Sequence, residues 1–358
     1  MTLGGRRRGG RHLALTVALP GPRLAAALLL VAAVLLPAAW MASSAAHRGV
    51  PGPETARPAP AWAAWVLPLV AGHTARPSRD PQGPVPGQCD PPGWPDPTVY
   101  GVLAEDQAPW TRDPTALQRL DRHRRAARAQ RWLAGFRITV REPLFEETAN
   151  LRLAAGRLAG TVVPPGAVFS MNAALGPYTR DRGYRPGPSY AGGRLVPSDG
   201  GGVCKVATAL YNAAIHAGLP VVERHAHSMM VPYVPPGRDA AVAYGAKDFR
   251  FRNDTAFPVL IWSDFRDATL YVALYGSHDP PRVTWHQQVL ARQEPWTVRS
   301  YNPELAPGRE RVVHEGYPGF TVRTWLLVTR PGAEPERRDL GVDTYLPLPR
   351  MVEHGPRG

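Results

Sequence analysis

Three glycines, Gly200, Gly201 and Gly202, run into Val203-Cys204-Lys205 and then into an apolar helical repeat that ends at Gly218. Six short strand patterns follow it in close order, over 221–224, 229–233, 240–244, 249–252, 259–263 and 269–275. One amphipathic helix followed by many short strands predicts an α+β fold, with the helix bearing Cys204 packed on an antiparallel sheet. Past Pro280 the pattern changes to hairpins with glycine turns, as in 311–319 and 321–329, which suggests a small C-terminal β module.

Upstream of the glycines, Asp113-Pro114 marks a helix start and the helix is expected to reach about Leu133. A short strand is expected at 136–140, and a second helix at 147–158 with Leu151, Ala154, Ala155 and Leu158 on one face. Strand, turn and strand are expected over 162–170, and 178–198 reads as loop. The divisions this predicts are an N-terminal segment 1–46, a proline-rich linker 47–97 and a lead-in 98–148. They are followed by the domain of the glycine run, 149–280, and the β module or extension, 281–358.

Composition bears on the ends of the chain. Its 41 prolines and 35 glycines exceed what helices and central strands tolerate, and 47–97 carries many of the prolines, so that stretch reads as an extended linker. The apolar patch Trp62–Ala71 inside it is too short to span a bilayer. Net charge is +13, and residues 1–48 hold six arginines and no acid. Arg6, Arg7, Arg8, Arg11 and Arg23 precede an apolar run from Leu24 to Ala42, which is export topology. Small residues after the run also suit a signal peptidase, so a retained anchor and a cleaved signal both fit; the length of the run favours the anchor. The expected location is the extracytoplasmic face of the membrane, or the cell wall if the segment is cleaved. A basic surface suits an anionic polymer or carboxylate-bearing substrate, and no pattern for nucleic-acid binding is present. No cofactor is expected.

Cys204 falls in the first turn of its helix, where unpaired N–H groups and the helix dipole favour thiolate. A thiol nucleophile needs a base and a group that orients the base. His225 and His227 lie on what reads as one strand, two residues apart and therefore on one face, so alternation does not separate them. Asp239 and Asp248 are the carboxylates that could orient an imidazole, and Arg238 could clamp a substrate carboxylate. Two other readings of the thiol are a disulfide between Cys89 and Cys204 and a zinc site of Cys204, His225 and His227.

From Asn150 to about Gly276 the chain resembles a VanW domain. The resemblance rests on 165–172 (Pro-Gly-Ala-Val-Phe-Ser-Met-Asn), Gly-Gly-Gly-Val-Cys204, Leu210-Tyr211-Asn212-Ala213, His227-Ser228, Tyr233, 236–240 (Pro-Gly-Arg-Asp-Ala) and 248–251 (Asp-Phe-Arg-Phe). The tail from about 283 is similar to the glycine-patterned β module that often follows such domains in cell-surface proteins. The resemblance implies a peptidoglycan setting and an L,D-transpeptidase-like acyl transfer with Cys204 as nucleophile. It implies His227 as the motif histidine, with Asp239 to orient the imidazole and Arg238 to bind a substrate carboxylate. The motif residues Gly201, Gly202, Lys205 and Tyr233 are the further candidates for substrate contact. The expected partner is a peptidoglycan stem peptide or another anionic wall polymer. The chain departs from the family pattern at Lys205, where glutamine is usual, and at Ala207 and Ala209, where hydroxyl residues are usual. A non-catalytic wall-binding or scaffold protein is the rival expectation.

Overall fold

Residues 94–357, apart from 192 and 193, are described by a computed structural model. Strand β1 (Tyr100–Val102) precedes helix α1 (Pro114–Ala127) and the long strand β2 (Arg131–Thr139). Asp113 caps α1, accepting from the N–H groups of Thr115 and Ala116 at 3.1 Å each. The helix stops short of the expected Leu133. Arg128 turns left-handed with φ 53°, and the strand-forming run after it enters the sheet with Leu133 inside β2.

Helix α2 (Phe145–Leu158), strands β3 (Val162–Val163) and β4 (Val168–Ser170) and the short helix α3 (Met171–Leu175) come next. They lead to β5 (Pro186–Ala191), β6 (Arg194–Asp199) and helix α4 (Val203–His216), which begins with Cys204 as its second residue. Strands β7 (Val221–Glu223), β8 (Arg250–Arg252), β9 (Val259–Arg266) and β10 (Thr269–Gly276) follow.

The central sheet has the order β1-β2-β10-β9-β3 and is antiparallel throughout. Asp267 and Ala268 join β9 to β10 with φ of 51° and 54°, the pair of left-handed residues that matches the twist of a tight hairpin. Strand alternation sorts the side chains of this hairpin onto two faces. Val259, Ile261, Leu270, Val272 and Leu274 join the core that holds Leu151 and Leu158 of α2 and Val206 and Leu210 of α4. Leu260, Trp262, Ala273 and Tyr275 join a second cluster with Trp110 and Leu120. Each such fully buried large side chain contributes about 1.5–3 kcal/mol, so the sheet is a rigid platform for α4. The lead-in 98–148 therefore supplies two strands of this sheet.

Two glycines fix how the chain enters α4. Gly202, its N-cap, has φ 101°, a conformation that costs other residues strain. Gly201 lies so close to Gly187 of β5 that a Cβ on it would run into that backbone. The 178–198 stretch is not loop: β5 and β6 form a hairpin over 186–199. Pro188 stands opposite Pro197 in its register, and two prolines in a strand pair hide the usual signal while confining the hairpin to its own two strands.

The expected strands at 229–233 and 240–244 do not form. Between β7 and β8 the chain is irregular, with isolated bridges Met229 to Leu346 and Ala243 to Lys247. Pro232, Pro235 and Pro236 supply no donors there, and the nearby N–H of Ala240 is taken by the Thr208 hydroxyl at 2.9 Å.

Past residue 281 come β11 (Arg282–Gln293), β12 (Thr297–Tyr301), β13 (Glu310–His314), β14 (Gly319–Thr329), β15 (Glu336–Tyr345) and β16 (Arg350–His354). They make two three-stranded sheets, β11-β14-β15 and β12-β16-β13. Leu326 and Val328 of β14 belong to the same core as α4, and Phe320, Val322 and Tyr345 bury Met230. The architecture is α+β, and the C-terminal β module is packed into the core of the domain before it. The expected anchor at 24–42, the patch 62–71 and Cys89 lie outside the described residues. Among the described residues no helix is long and apolar enough to cross a membrane.

Candidate active site

Cys204, His227 and Asp239 form a connected row. Asp239 is fully buried, and its Oδ2 accepts from His227 Nδ1 at 2.6 Å and from the His227 backbone N–H at 2.7 Å. The imidazole lines the same cleft as the Cys204 side chain, and the two groups shift one another's ionisation. Sγ accepts from the Val242 N–H at 3.4 Å. His225 is turned elsewhere, with Nε2 on Glu223 at 2.9 Å. Because β7 ends at Glu223, neither histidine is on a strand and alternation does not apply to them. Asp248 serves the scaffold instead, accepting from Ser170 at 2.5 Å and from the Asn172 N–H at 2.9 Å.

Charge follows this geometry. Burial would push the Cys204 thiol up, but the hydrogen bond and positive charge of His227, the Val242 N–H and Lys205 together bring it below the ordinary value. Burial would lower His227; the bonds to Asp239 and Cys204 outweigh that and raise it to about 9. Asp239 is held well below the carboxylate range despite its burial, chiefly by His227 and then by Arg224 and the Tyr345 hydroxyl. His227 is thus charged at neutral pH beside an ionised Asp239, and the site shifts Cys204 toward thiolate.

The row opens on a cleft of about 600 Å³ whose walls include Tyr178, Gly201, Gly202, Tyr233, Tyr244 and Lys247. The N–H groups of Gly201, Val203 and Lys205 are bonded to the carbonyls of Ser198, Gly200 and Gly202. Those of Gly202 and Cys204 have no acceptor among the described residues, which leaves two donors beside the thiol for an oxyanion. Lys205 lies at the cleft, ion-paired with buried Glu147 and 4.8 Å from the centre of the Tyr233 ring. Tyr233 itself meets the His227 ring edge-on at 6.4 Å.

Arg238 is not brought to this cleft. Its guanidinium lies over Trp285 at 4.8 Å, Tyr100 at 5.6 Å and Phe136 at 5.9 Å. Asp239 reaches the imidazole while Arg238, one residue before it in an irregular turn, reaches the aromatic rings. The cleft's cation without a carboxylate partner among the described residues is Lys247, which the sequence did not single out. Arg224, a motif residue to which the sequence gave no role, and Tyr345, which it did not single out, hold Asp239 Oδ1 at 2.8 and 2.6 Å. Among the described residues, which do not include Cys89, Cys204 has no disulfide partner and no group of three metal-ligating side chains is assembled.

The fold and the row define the class: an α+β domain that presents a cysteine from a glycine-led helix to a histidine–carboxylate pair. Residues 146–275 match the family model described as VanW like protein, and residues 288–357 match that of the G5 domain. The chain thus contains a VanW-like domain followed by a G5 domain. It is 42% identical over 128 residues to the uncharacterized protein YoaR of Bacillus subtilis, covering 36% of this chain and 42% of that protein. It is 29% identical over 137 residues to the vancomycin B-type resistance protein VanW of Enterococcus faecalis, covering 37% of this chain and 50% of that one. The chain thus spans about half the length of these curated relatives or less. A solved G5 domain of an IgA1 protease is 28% identical to this chain, of which it covers 23% and is itself covered whole, with a TM-score of 0.15.

Proposed function

We propose that the chain is an extracytoplasmic, peptidoglycan-associated cysteine enzyme of acyl transfer, L,D-transpeptidase-like, with Cys204 as nucleophile. The observation that carries this reading is His227, which lines the same cleft as the Cys204 thiol and is hydrogen-bonded to a fully buried carboxylate. A row of this kind supplies nucleophile, acid–base and orienting group together.

In this reading the Cys204 thiolate attacks a carbonyl carbon of a stem peptide, and the negative oxygen formed is met by the N–H groups of Gly202 and Cys204. The C–N bond breaks as His227 passes its proton to the leaving amine, which leaves a thioester on Cys204. An acceptor amine then attacks the thioester, giving its proton to His227, and the C–S bond breaks to return the thiolate. Water as acceptor would make the same site a peptidase. The apolar segment 24–42 would hold the chain at the membrane.

The test is to mix the full chain with purified muropeptides and read the product masses. Crosslinked or shortened products that vanish in Cys204→Ser are expected; no product from the wild type, with a Cys204 that also resists iodoacetamide, would overturn the reading. The rival, a non-catalytic wall-binding protein, draws on exposed Trp296, Tyr301 and Tyr317 in the C-terminal module, faces on which a sugar can stack. That reading predicts muropeptide binding unaffected by Cys204→Ser.

With Arg238 engaged elsewhere, Lys247 is the candidate to meet a substrate carboxylate. Lys247→Ala is expected to raise KM for carboxylate-bearing donors by roughly tenfold, the value of about one charged contact, with kcat little changed. Equal KM for donors with a free and an amidated carboxylate in the wild type would rule the contact out.

A further inference from the structure

We infer that Tyr345 and Asp343, at the end of the third strand of the β11-β14-β15 sheet, are positioning residues for the thiol–imidazole pair, so that the C-terminal module is a working part of the active site. The inference rests on the acyl-transfer reading and goes past it, because it assigns the module a role at the site rather than at the wall.

The contacts are direct. Tyr345 is 2% exposed, and its hydroxyl donates to Asp239 Oδ1 at 2.6 Å while accepting the Gly237 N–H at 2.6 Å. Asp343 accepts from Arg224 Nη1 at 2.5 Å. Arg224 in turn donates to Asp239 Oδ1 at 2.8 Å and to the Asp239 carbonyl at 2.7 Å. The next residue of the strand end, Leu346, donates its N–H to the Ser228 carbonyl at 2.7 Å and bridges Met229. Ser228 and Met229 are therefore joined directly to Leu346, and His227 is joined to Tyr345 through Asp239.

Each Asp239 oxygen receives two bonds, one pair from His227 and one from Arg224 and Tyr345. Two fixed pairs stop the carboxylate from rotating. Without the tyrosine hydroxyl, Oδ1 keeps Arg224 alone and the carboxylate can turn toward that guanidinium, taking Oδ2 off the line of the His227 Nδ1–H. The imidazolium then loses part of its support, and with it the thiolate. The charged and titratable groups around the pair are Cys204, Lys205 and Tyr211 on α4, Glu147 on α2, and Tyr178, Arg224, Tyr233, Asp239, Lys247 and Asp248 on the segments between. Asp343 and Tyr345 on β15 complete the set. Among these, Tyr345 and Asp343 are the ones that reach the row from beyond residue 281.

The test needs no substrate. Iodoacetamide alkylation of Cys204 in the full chain is followed from pH 4 to 10, with the modified peptide identified by mass, for wild type, Tyr345→Phe and Asp343→Asn. Val352→Ala, a cavity in the buried part of the same module, controls for loss of stability. The inference expects Tyr345→Phe to move the acid limb of the profile to higher pH, with the rate at pH 6 down roughly tenfold. Asp343→Asn should move it less in the same direction, and Val352→Ala should lower the melting temperature with the profile in place. A depressed wild-type value left unmoved by Tyr345→Phe, or a Val352→Ala profile shifted as far, overturns this inference alone. A wild-type thiol titrating at an ordinary cysteine value overturns the acyl-transfer reading and this inference with it.

Discussion

Asp239→Ala is expected to lower the unfolding free energy by about 3–5 kcal/mol, read as a fall in the urea midpoint at constant slope. The carboxylate is fully buried and accepts four hydrogen bonds, two of them from groups that carry positive charge. Its removal leaves the His227 N–H groups and the Tyr345 hydroxyl unsatisfied in the interior, and the Arg224 guanidinium with Asp343 as its remaining carboxylate. The pH dependence of stability supplies a second measurement. Asp239 sits below its ordinary value of 3.8 in the folded state, so its stabilisation is present above that pH and is lost as pH falls toward the folded-state value. His227 is raised from 6.5 to about 9, so its share is complete below 6.5 and is lost as pH rises through about 9. Wild-type stability should therefore decline at both ends, and Asp239→Ala should flatten both declines. A variant with an unchanged midpoint would show that the carboxylate does not hold this part of the fold.

What the sequence disclosed of this arrangement was whatever depends on neighbours along the chain. The glycine run and the apolar repeat after it locate α4 and put Cys204 in its first turn, because a left-handed cap and a helical stripe are both written locally. The family motif carries His227 and Asp239, and both are in the row. Side-chain direction is another matter. Arg238 shares a motif with Asp239, yet backbone geometry sends it to Trp285, and no spacing rule in an irregular segment foretells that. The β5-β6 hairpin is masked by its own prolines, whose burden falls on the ladder of hydrogen bonds and not on the pairing itself. Tyr345 is more than a hundred residues from Asp239, and a partner at that separation is fixed by how two sheets pack. The support of a buried charge is thus the part of a site least visible to sequence reading, since it is chosen by tertiary contact.

His227→Ala is expected to slow alkylation of Cys204 at pH 7 by roughly tenfold or more, because it removes the group that does most to lower the thiol. Two effects oppose each other at this sulfur: burial raises its pKa, while the bond and charge of His227 lead the group of effects that lower it. Deleting the imidazole leaves burial opposed by the Val242 N–H, by Lys205, which is shared with Glu147, and by the helix dipole. The thiol of the variant should therefore titrate at or above the usual cysteine range, with little reaction until alkaline pH. In the wild type the rate should reach its plateau at lower pH than in the variant. Acyl transfer, which also needs a protonated imidazole to release the amine, should fall again as pH passes about 9. Alkylation rates and product formation measured over the same pH range separate the two requirements. If His227→Ala keeps the wild-type plateau, the helix start alone ionises Cys204, and the histidine would be needed for proton transfer but not for making the thiolate.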